Sequence, residues 1–440
     1  MLKKCMLPVL TLALMLVMAI TAFAEGWAQE GSDWVYYDAN NNKVRNEWRK
    51  GADDKWRYLG QNGAMLTSTI VDYQYYVDSE GIMAANVWKQ ITDSQGTYWY
   101  YFLESGKMVT DGWKEINGNR YFFDTDGKMM TGWVDDDKYY CDSDGHMVTG
   151  WKQLPDSRDK DTDCPSGTDG ASTHWYYLGS SGKKVEPTDG NFIEKRIENN
   201  RFCFDVNGAM VTGWVNTTGD ENISGYKYYN TDGSLRTGWY SLYPPEELAD
   251  NYQNAVEWFY FSSNGSVAYD EDGIFTEKDI KRINSKRYLF NKYGTPVYGL
   301  IKVYTDEAQS DWNTYYFGTA AQSSAQKGQM SITEEDGTKS TFYFADSCAG
   351  ITGIKNHYMY YKGKLVKAEV GSRVQTFKLN GNVYLVNQQG QLQRSATKIK
   401  DGDGTIWASN SAGIVTKEDD KTSNFSITGE FPDIEFPDLD

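Results

Sequence analysis

Residues 99–113 read WYYFLESGKMVTDGW, residues 120–133 read RYFFDTDGKMMTGW, and residues 138–151 read KYYCDSDGHMVTGW. One phrase occurs three times: a short aromatic run, a polar turn with glycine, a methionine, then Thr-Gly-Trp or, in the first copy, Thr-Asp-Gly-Trp. The closing tryptophans Trp113, Trp133 and Trp151 stand 20 and 18 residues apart. A period of that size marks a repeat array, in which one unit cannot bury its own apolar face and neighbours must stack. Each unit reads as a β-hairpin. The aromatic run is the first strand, with alternate side chains on opposite faces. The Asp-x-Asp-Gly cluster is the turn, and Met-x-Thr-Gly-Trp opens the second strand. The expected fold is all-β, an elongated solenoid or superhelix of tandem hairpins.

Working outward, drifted copies appear at residues 56–67 (WRYLGQNGAMLT), 75–83 (YYVDSEGIM), 174–185 (HWYYLGSSGKKV), 201–214 (RFCFDVNGAMVTGW) and 227–239 (KYYNTDGSLRTGW). Beyond Trp239 the Gly-Trp ending is lost while aromatic clusters continue to about Val415. The expected organisation is a signal peptide over 1–24, regular repeats over 25–241, degenerate repeats over 242–416, and an acidic disordered tail over 417–440. The polar stretch 155–173 is expected to be an exposed loop.

Met1-Leu2-Lys3-Lys4 precedes an uncharged run from Cys5 to Ala24 that ends Ala22-Phe23-Ala24, the three-part pattern of a secretory leader. No later segment is apolar enough to span a membrane, so the expected location is secreted and cell-wall-associated. The formal net charge of −17 excludes nucleic acid and anionic membranes as natural partners. It suits a neutral or cationic ligand. Of the cysteines beyond the leader, Cys141 and Cys203 occupy aromatic slots and read as small buried apolar residues. No CxxC spacing points to zinc.

The phrase Gly-Trp, Tyr-Tyr-Phe, Asp-x-x-Gly, Met-x-Thr-Gly-Trp resembles the cell-wall-binding repeats of Gram-positive surface proteins. That superfamily covers choline-binding modules, glucan-binding repeats and the repetitive receptor-binding domains of clostridial toxins. The resemblance implies ligand pockets between successive hairpins. It implies as partner a cell-wall polymer, either a glycan or choline-decorated teichoic acid. Quaternary ammonium needs a cage of ring faces, since it donates no hydrogen bond. In the choline-binding type the cage is the Gly-Trp tryptophan, a second Trp opening the next aromatic run, and an aromatic from the following unit. The pairs Trp48/Trp56, Trp88/Trp99, Trp151/Trp175 and Trp239/Trp258 fit, with Tyr76, Tyr121, Phe202 and Tyr288 as expected third walls. Trp113, Trp133 and Trp214 are followed by Arg120, Lys138 and Lys227 where that second Trp would stand. Those units suit a sugar, stacked on a ring and bonded by polar neighbours. Most of the remaining Tyr and Phe are expected to form the core.

Other chemistries have little to stand on. His146, His174 and His357 are the histidines, and none lies in a nucleophile motif. The Asp-x-Asp-Gly turns lack the later ligands of a calcium loop. The sequence therefore predicts binding without catalysis, cofactor or metal. The alternatives kept open are a choline-binding surface protein, an adhesin for host carbohydrate, and a glycan-active enzyme within residues 242–415. The C-terminal third, with Phe-Pro-Asp at Phe431 and again at Phe436, is a candidate protein-docking region.

Overall fold

A computed structural model describes residues 25–157 and 161–437. The leader lies outside the described residues. No helix among them is long and apolar enough to cross a membrane. The chain divides into two compact units, Met1–Thr162 with Gly170–Val185, and Asp163–Asp169 with Glu186–Asp440.

The structure is all-β. Among the described residues every sheet is a two-stranded antiparallel hairpin except one of five strands and one of three. The hairpin frame differs from the sequence expectation. Where Gly-Trp occurs it opens a hairpin and the aromatic run closes it, as in Gly112–Ile116 paired with Asn119–Phe123. The tight turn is Asn117-Gly118, with φ of 51° and 84°. Two successive positive φ values match the twist of a two-residue hairpin, and Asn-Gly is the sequence that tolerates them. The Asp-x-Asp-Gly segment instead links one hairpin to the next. Its first carboxylate caps the bend: Asp124 Oδ1 accepts from the Asp126 and Lys128 amides at 3.0 and 2.8 Å. Turn chemistry thus uses the atoms that a calcium ion would need.

Two devices join consecutive hairpins of the first unit without a continuous sheet. From the second hairpin on, the residue just before the linker is fully buried: Leu59, Val77, Phe102, Phe123, Cys141 and Leu178. Each such side chain contributes roughly 1.5–3 kcal/mol when large and apolar. Cys141 holds this slot as a small hydrophobe, and burial pushes its thiol up to about 12. The second device is methionine. The Met129 amide donates to the Trp99 carbonyl of the preceding hairpin at 2.8 Å. Its side chain covers Gly145 of the next linker, where an added Cβ would lie 2.4 Å from sulfur. Met65 on Gly81, Met83 on Gly106, Met108 on Gly127 and Met147 on Gly182 repeat the contact.

The second unit begins with hairpins of the same kind and then changes. Gly328–Thr333, Lys339–Phe344, Lys364–Leu365, Tyr358–Tyr361 and Gly353–Lys355 form the five-stranded sheet. Ile399–Lys400, Ile406–Ser409 and Val415–Glu418 form the three-stranded one. Disorder from residue 417 does not hold for 417–437. Thr376 Oγ1 donates to the Ser426 carbonyl and accepts from the Thr428 amide. Phe431 stacks on Tyr361 at 4.4 Å, and Phe436 meets Trp312 edge-on at 5.5 Å. An acidic composition hid two aromatic anchors that bury against this unit. The stretch 155–173 is likewise not wholly an exposed loop. Residues 163–169 belong to the second unit, with Cys164 and Ser166 buried and bonded to Asn207. The four described cysteines are buried.

Candidate functional site

Strand alternation builds the site. In the hairpin Val87–Thr92 with Thr97–Phe102, Trp88 pairs with Tyr101. Residue 99 lies two positions before that partner, so it shares the face. The next hairpin adds a residue two positions before its own buried plug, which is Tyr121 before Phe123. The three rings meet as expected from sequence. Trp88 lies 6.4 Å from Trp99 at 87°, and 4.9 Å from Tyr121 at 62°. Phe123 stacks behind Trp88 at 5.7 Å, and Met129 packs on the same cluster. Tyr121 is buried and its hydroxyl is bonded to His146 at 2.9 Å, which fixes the ring. Trp99 is 43% exposed, so the groove has one solvent-facing wall. Such an arrangement presents ring faces and an edge to the groove.

The same three positions recur with altered chemistry. In the first hairpin they are Trp27, Trp34 and Arg57. Trp34 was missed in the sequence because that hairpin precedes the clear repeats. Arg57 is held by Asp53 at 2.8 Å, and this contact keeps the Asp53 carboxyl well below its ordinary range. Next come Trp48, Trp56 and Tyr75. Trp48 lies 5.3 Å from Tyr75, whereas Tyr76 points to the opposite side and packs on Phe102 at 6.0 Å. Tyr76 was the expected wall, and the one-residue shift follows from the short strand Tyr75–Val77. Trp56 is exposed, with Lys50 Nζ 5.4 Å over its ring.

In the middle repeats the protein supplies its own cation. Arg120 takes the second-Trp position, and its guanidinium lies 5.0 Å over the Trp113 ring, while Tyr139 is the third wall at 5.1 Å. Trp133 has Tyr176 at 4.9 Å and carries Lys184 Nζ at 5.1 Å. Lys138, in the second-Trp position there, pairs with Asp136 at 3.2 Å. Trp151 and Trp175 share a hairpin face in the first unit, since Trp151 pairs with Tyr177. Phe202, the wall expected for them, is buried in the second unit.

Within the second unit the corresponding positions of one hairpin are Glu194, Arg201 and Lys227. Here the ring pair is replaced by an ion pair, Lys227 to Glu194 at 2.6 Å, with the Tyr229 hydroxyl donating to Glu194 at 2.7 Å. Lys227 was expected beside Trp214, but register places Tyr226 there, two residues before the Trp214 partner Tyr228. Tyr226 is buried, and Phe259 closes the Trp214 face at 5.1 Å with Leu248 and Tyr252 packed on the cluster. Trp239 meets Tyr288 at 4.9 Å as expected, with Phe290 stacked at 5.6 Å. Trp258 stands opposite Ser241 and is 53% exposed.

Asp142, Asp144 and His146 bring ligand-type atoms within 4.8 Å of one another. Asp142 Oδ1 is already committed to the Asp144 and His146 amides, and His146 to Tyr121. The set is explained as linker structure.

Residues 42–82 match a choline-binding repeat family, residues 88–131 and 110–138 a second choline-binding repeat family, and residues 131–147 and 171–184 a cell wall binding repeat family. The chain carries repeats of the choline-binding and cell wall binding type. Over 282 residues it is 24% identical to glucosyltransferase-S of Streptococcus mutans, covering 60% of this chain and 14% of that protein. Among solved structures, the modular autolysin LytC of Streptococcus pneumoniae, in complex with a synthetic peptidoglycan ligand, matches at 20% identity. Its TM-score is 0.38, over 62% of this chain and 52% of that one. Choline binding protein F of Streptococcus pneumoniae, in the presence of a peptidoglycan analogue, matches at 22% identity. Its TM-score is 0.34, over 70% of this chain and 98% of that one.

Proposed function

We propose that the chain is a secreted, non-catalytic binding protein that attaches to a cell-wall polymer through the aromatic grooves between hairpins, with choline or a like quaternary ammonium group as the recognised unit. The observation that carries this reading is the Trp88–Trp99–Tyr121 set, three rings with two of them 6.4 and 4.9 Å from the central tryptophan. A trimethylammonium head is attracted by ring quadrupoles and needs no hydrogen-bond partner. Trp48 with Tyr75, and Trp239 with Tyr288, offer partial versions. Weak sites repeated along one chain gain strength on a polymer by raising effective concentration. Stacking of successive hairpins into a superhelix would present them in series. The repeat families matched at residues 42–184 support binding of this kind.

The test is a titration of intrinsic tryptophan fluorescence with choline, together with elution from purified choline-bearing cell walls. Quenching and release by millimolar choline are expected. Failure of both would remove choline as the ligand. A glycan ligand, on the cell wall or on a host surface, is the second reading. It is favoured by the Trp113 and Trp133 grooves, where Arg120 and Lys184 place donors beside ring faces. Binding to choline-free cell wall, or to a glycan array, would select it. Release of soluble fragments from peptidoglycan by the purified chain would contradict a non-catalytic role.

A further inference from the structure

The second unit contains a cleft of about 830 Å³, within the range of small-molecule sites. It is lined by residues 251–254, 256–258, 291, 293, 295–300, 316, 320 and 331–335 and by two residues of the C-terminal segment, Glu435 and Pro437. It is not one of the three-ring grooves: apart from Trp258, none of their residues lines it. Two aromatic side chains on its walls are half exposed, Trp258 and Tyr298, each at 53%. Tyr293 also lines it, but Lys292 Nζ lies 5.2 Å over that ring, which leaves Trp258 and Tyr298 as the free platforms.

The charge of the lining is one-sided. Glu257, Glu334, Glu335 and Glu435 contribute, and no Lys, Arg or His does among the described residues. Glu334 is buried and neutralised by Lys364 at 2.7 Å, and its other oxygen accepts from the Glu435 amide at 3.0 Å. This pairing locks the C-terminal segment in place as a wall. Glu257 is bonded by the Asn254 side-chain amide at 2.8 Å. The Glu335 and Glu435 side chains complete an acidic rim around two ring platforms.

We propose that this cleft binds an oligosaccharide free of acidic groups, and that among such sugars it prefers one bearing free amines. Sugar rings present an apolar C–H face that stacks on Trp258 and Tyr298. Their hydroxyls meet the amides of Asn251, Gln253 and Asn291. The carboxylates repel an acidic sugar and attract an ammonium-bearing one. The inference adds a second binding site to the ring grooves and does not depend on choline being their ligand.

The experiment is calorimetric titration of the full chain, in excess choline chloride and at mildly acidic pH, with hexamers of glucosamine, N-acetylglucosamine and galacturonic acid. The glucosamine hexamer should bind most tightly, the acetylated hexamer more weakly, and the galacturonate hexamer not at all. Tyr298→Ala should weaken the glucosamine hexamer by roughly tenfold, the loss of one stacking platform, with an unchanged thermal midpoint. Glu335→Gln with Glu435→Gln should narrow the gap between aminated and acetylated hexamers. Equal binding of the galacturonate hexamer would overturn the proposal, as would silence of both amino-sugar hexamers or full affinity in a folded Tyr298→Ala chain. Absence of choline binding would remove choline as the ligand of the ring grooves and leave these outcomes readable.

Discussion

The Trp88 and Trp113 grooves are built on one register and differ in the chemistry of one wall. Each tryptophan pairs with an aromatic on its partner strand, Tyr101 or Phe122, and receives a tyrosine from the next hairpin, Tyr121 or Tyr139. In the first groove the remaining wall is Trp99, half exposed and 6.4 Å away. In the second it is Arg120, whose guanidinium already lies 5.0 Å over the Trp113 ring. A ring face that attracts an external cation attracts an internal one equally well. Tethering removes the entropic cost of bringing it there. Adjacent grooves of one architecture are therefore open or self-occupied according to a single side chain, and the ion pair Glu194–Lys227 is the extreme case.

The comparison can be broken most severely at Trp88. Trp88→Ala removes a ring that contacts four others, and should cost about 3 kcal/mol of stability along with ligand binding in that groove. Thermal unfolding and fluorescence titration read both. A narrower change is Trp99→Arg, which copies the Trp113 groove. It should lower choline affinity in the Trp88 groove about tenfold while leaving the unfolding midpoint within a few degrees. Binding that survives would mean that Trp99 is not a wall. The reverse exchange, Arg120→Trp, should add one choline equivalent in calorimetric stoichiometry, and no gain would show that vacancy alone does not make a site.

A smaller effect concerns acidity in the second unit. Burial raises the Glu418 carboxyl, but the Ser426 amide and hydroxyl at 2.7 Å and Lys421 at 3.0 Å outweigh it, and the group is held below its ordinary value. A depressed carboxyl contributes stability above its unfolded pKa, near 4.5, which is lost as pH falls through the folded value. Relative to its intrinsic rate, amide exchange at Ser426 should therefore quicken below pH 4 compared with pH 6 (roughly the carboxylate range). An exchange rate that follows only intrinsic chemistry would contradict this.

Much of this was legible in the chain. The spacing of Trp113, Trp133 and Trp151 gives the repeat, and Trp88, Trp99 and Tyr121 come together as their positions imply. What misled was parity. Tyr75 and Tyr76 are adjacent aromatics on one strand, and only the count back from the buried Val77 says which one faces Trp48. Lys227 and Tyr226 pose the same problem beside Trp214. The hairpin frame was ambiguous because both Asp-Thr-Asp-Gly and Asn-Gly carry turn chemistry, and two positive φ values at Asn117 and Gly118 select the latter. The docking of Phe431 and Phe436 was invisible because it depends on partners far away in sequence, Tyr361 and Trp312, 70 and 124 residues earlier in the chain (431 − 361 and 436 − 312).

The methionine that covers the next linker glycine has a consequence for how such chains change length. Between the first and last hairpins of the first unit, each hairpin exports a methionine and is followed by a linker glycine at positive φ, as at Gly127 and Gly145. Any hairpin carrying both ends fits after any other. Whole units can thus be duplicated, removed or exchanged between chains with every joint preserved, while a cut inside a unit leaves one methionine without its glycine. Gene rearrangement is channelled toward multiples of the repeat, and the wall that decides whether a groove is open travels with the hairpin that carries it.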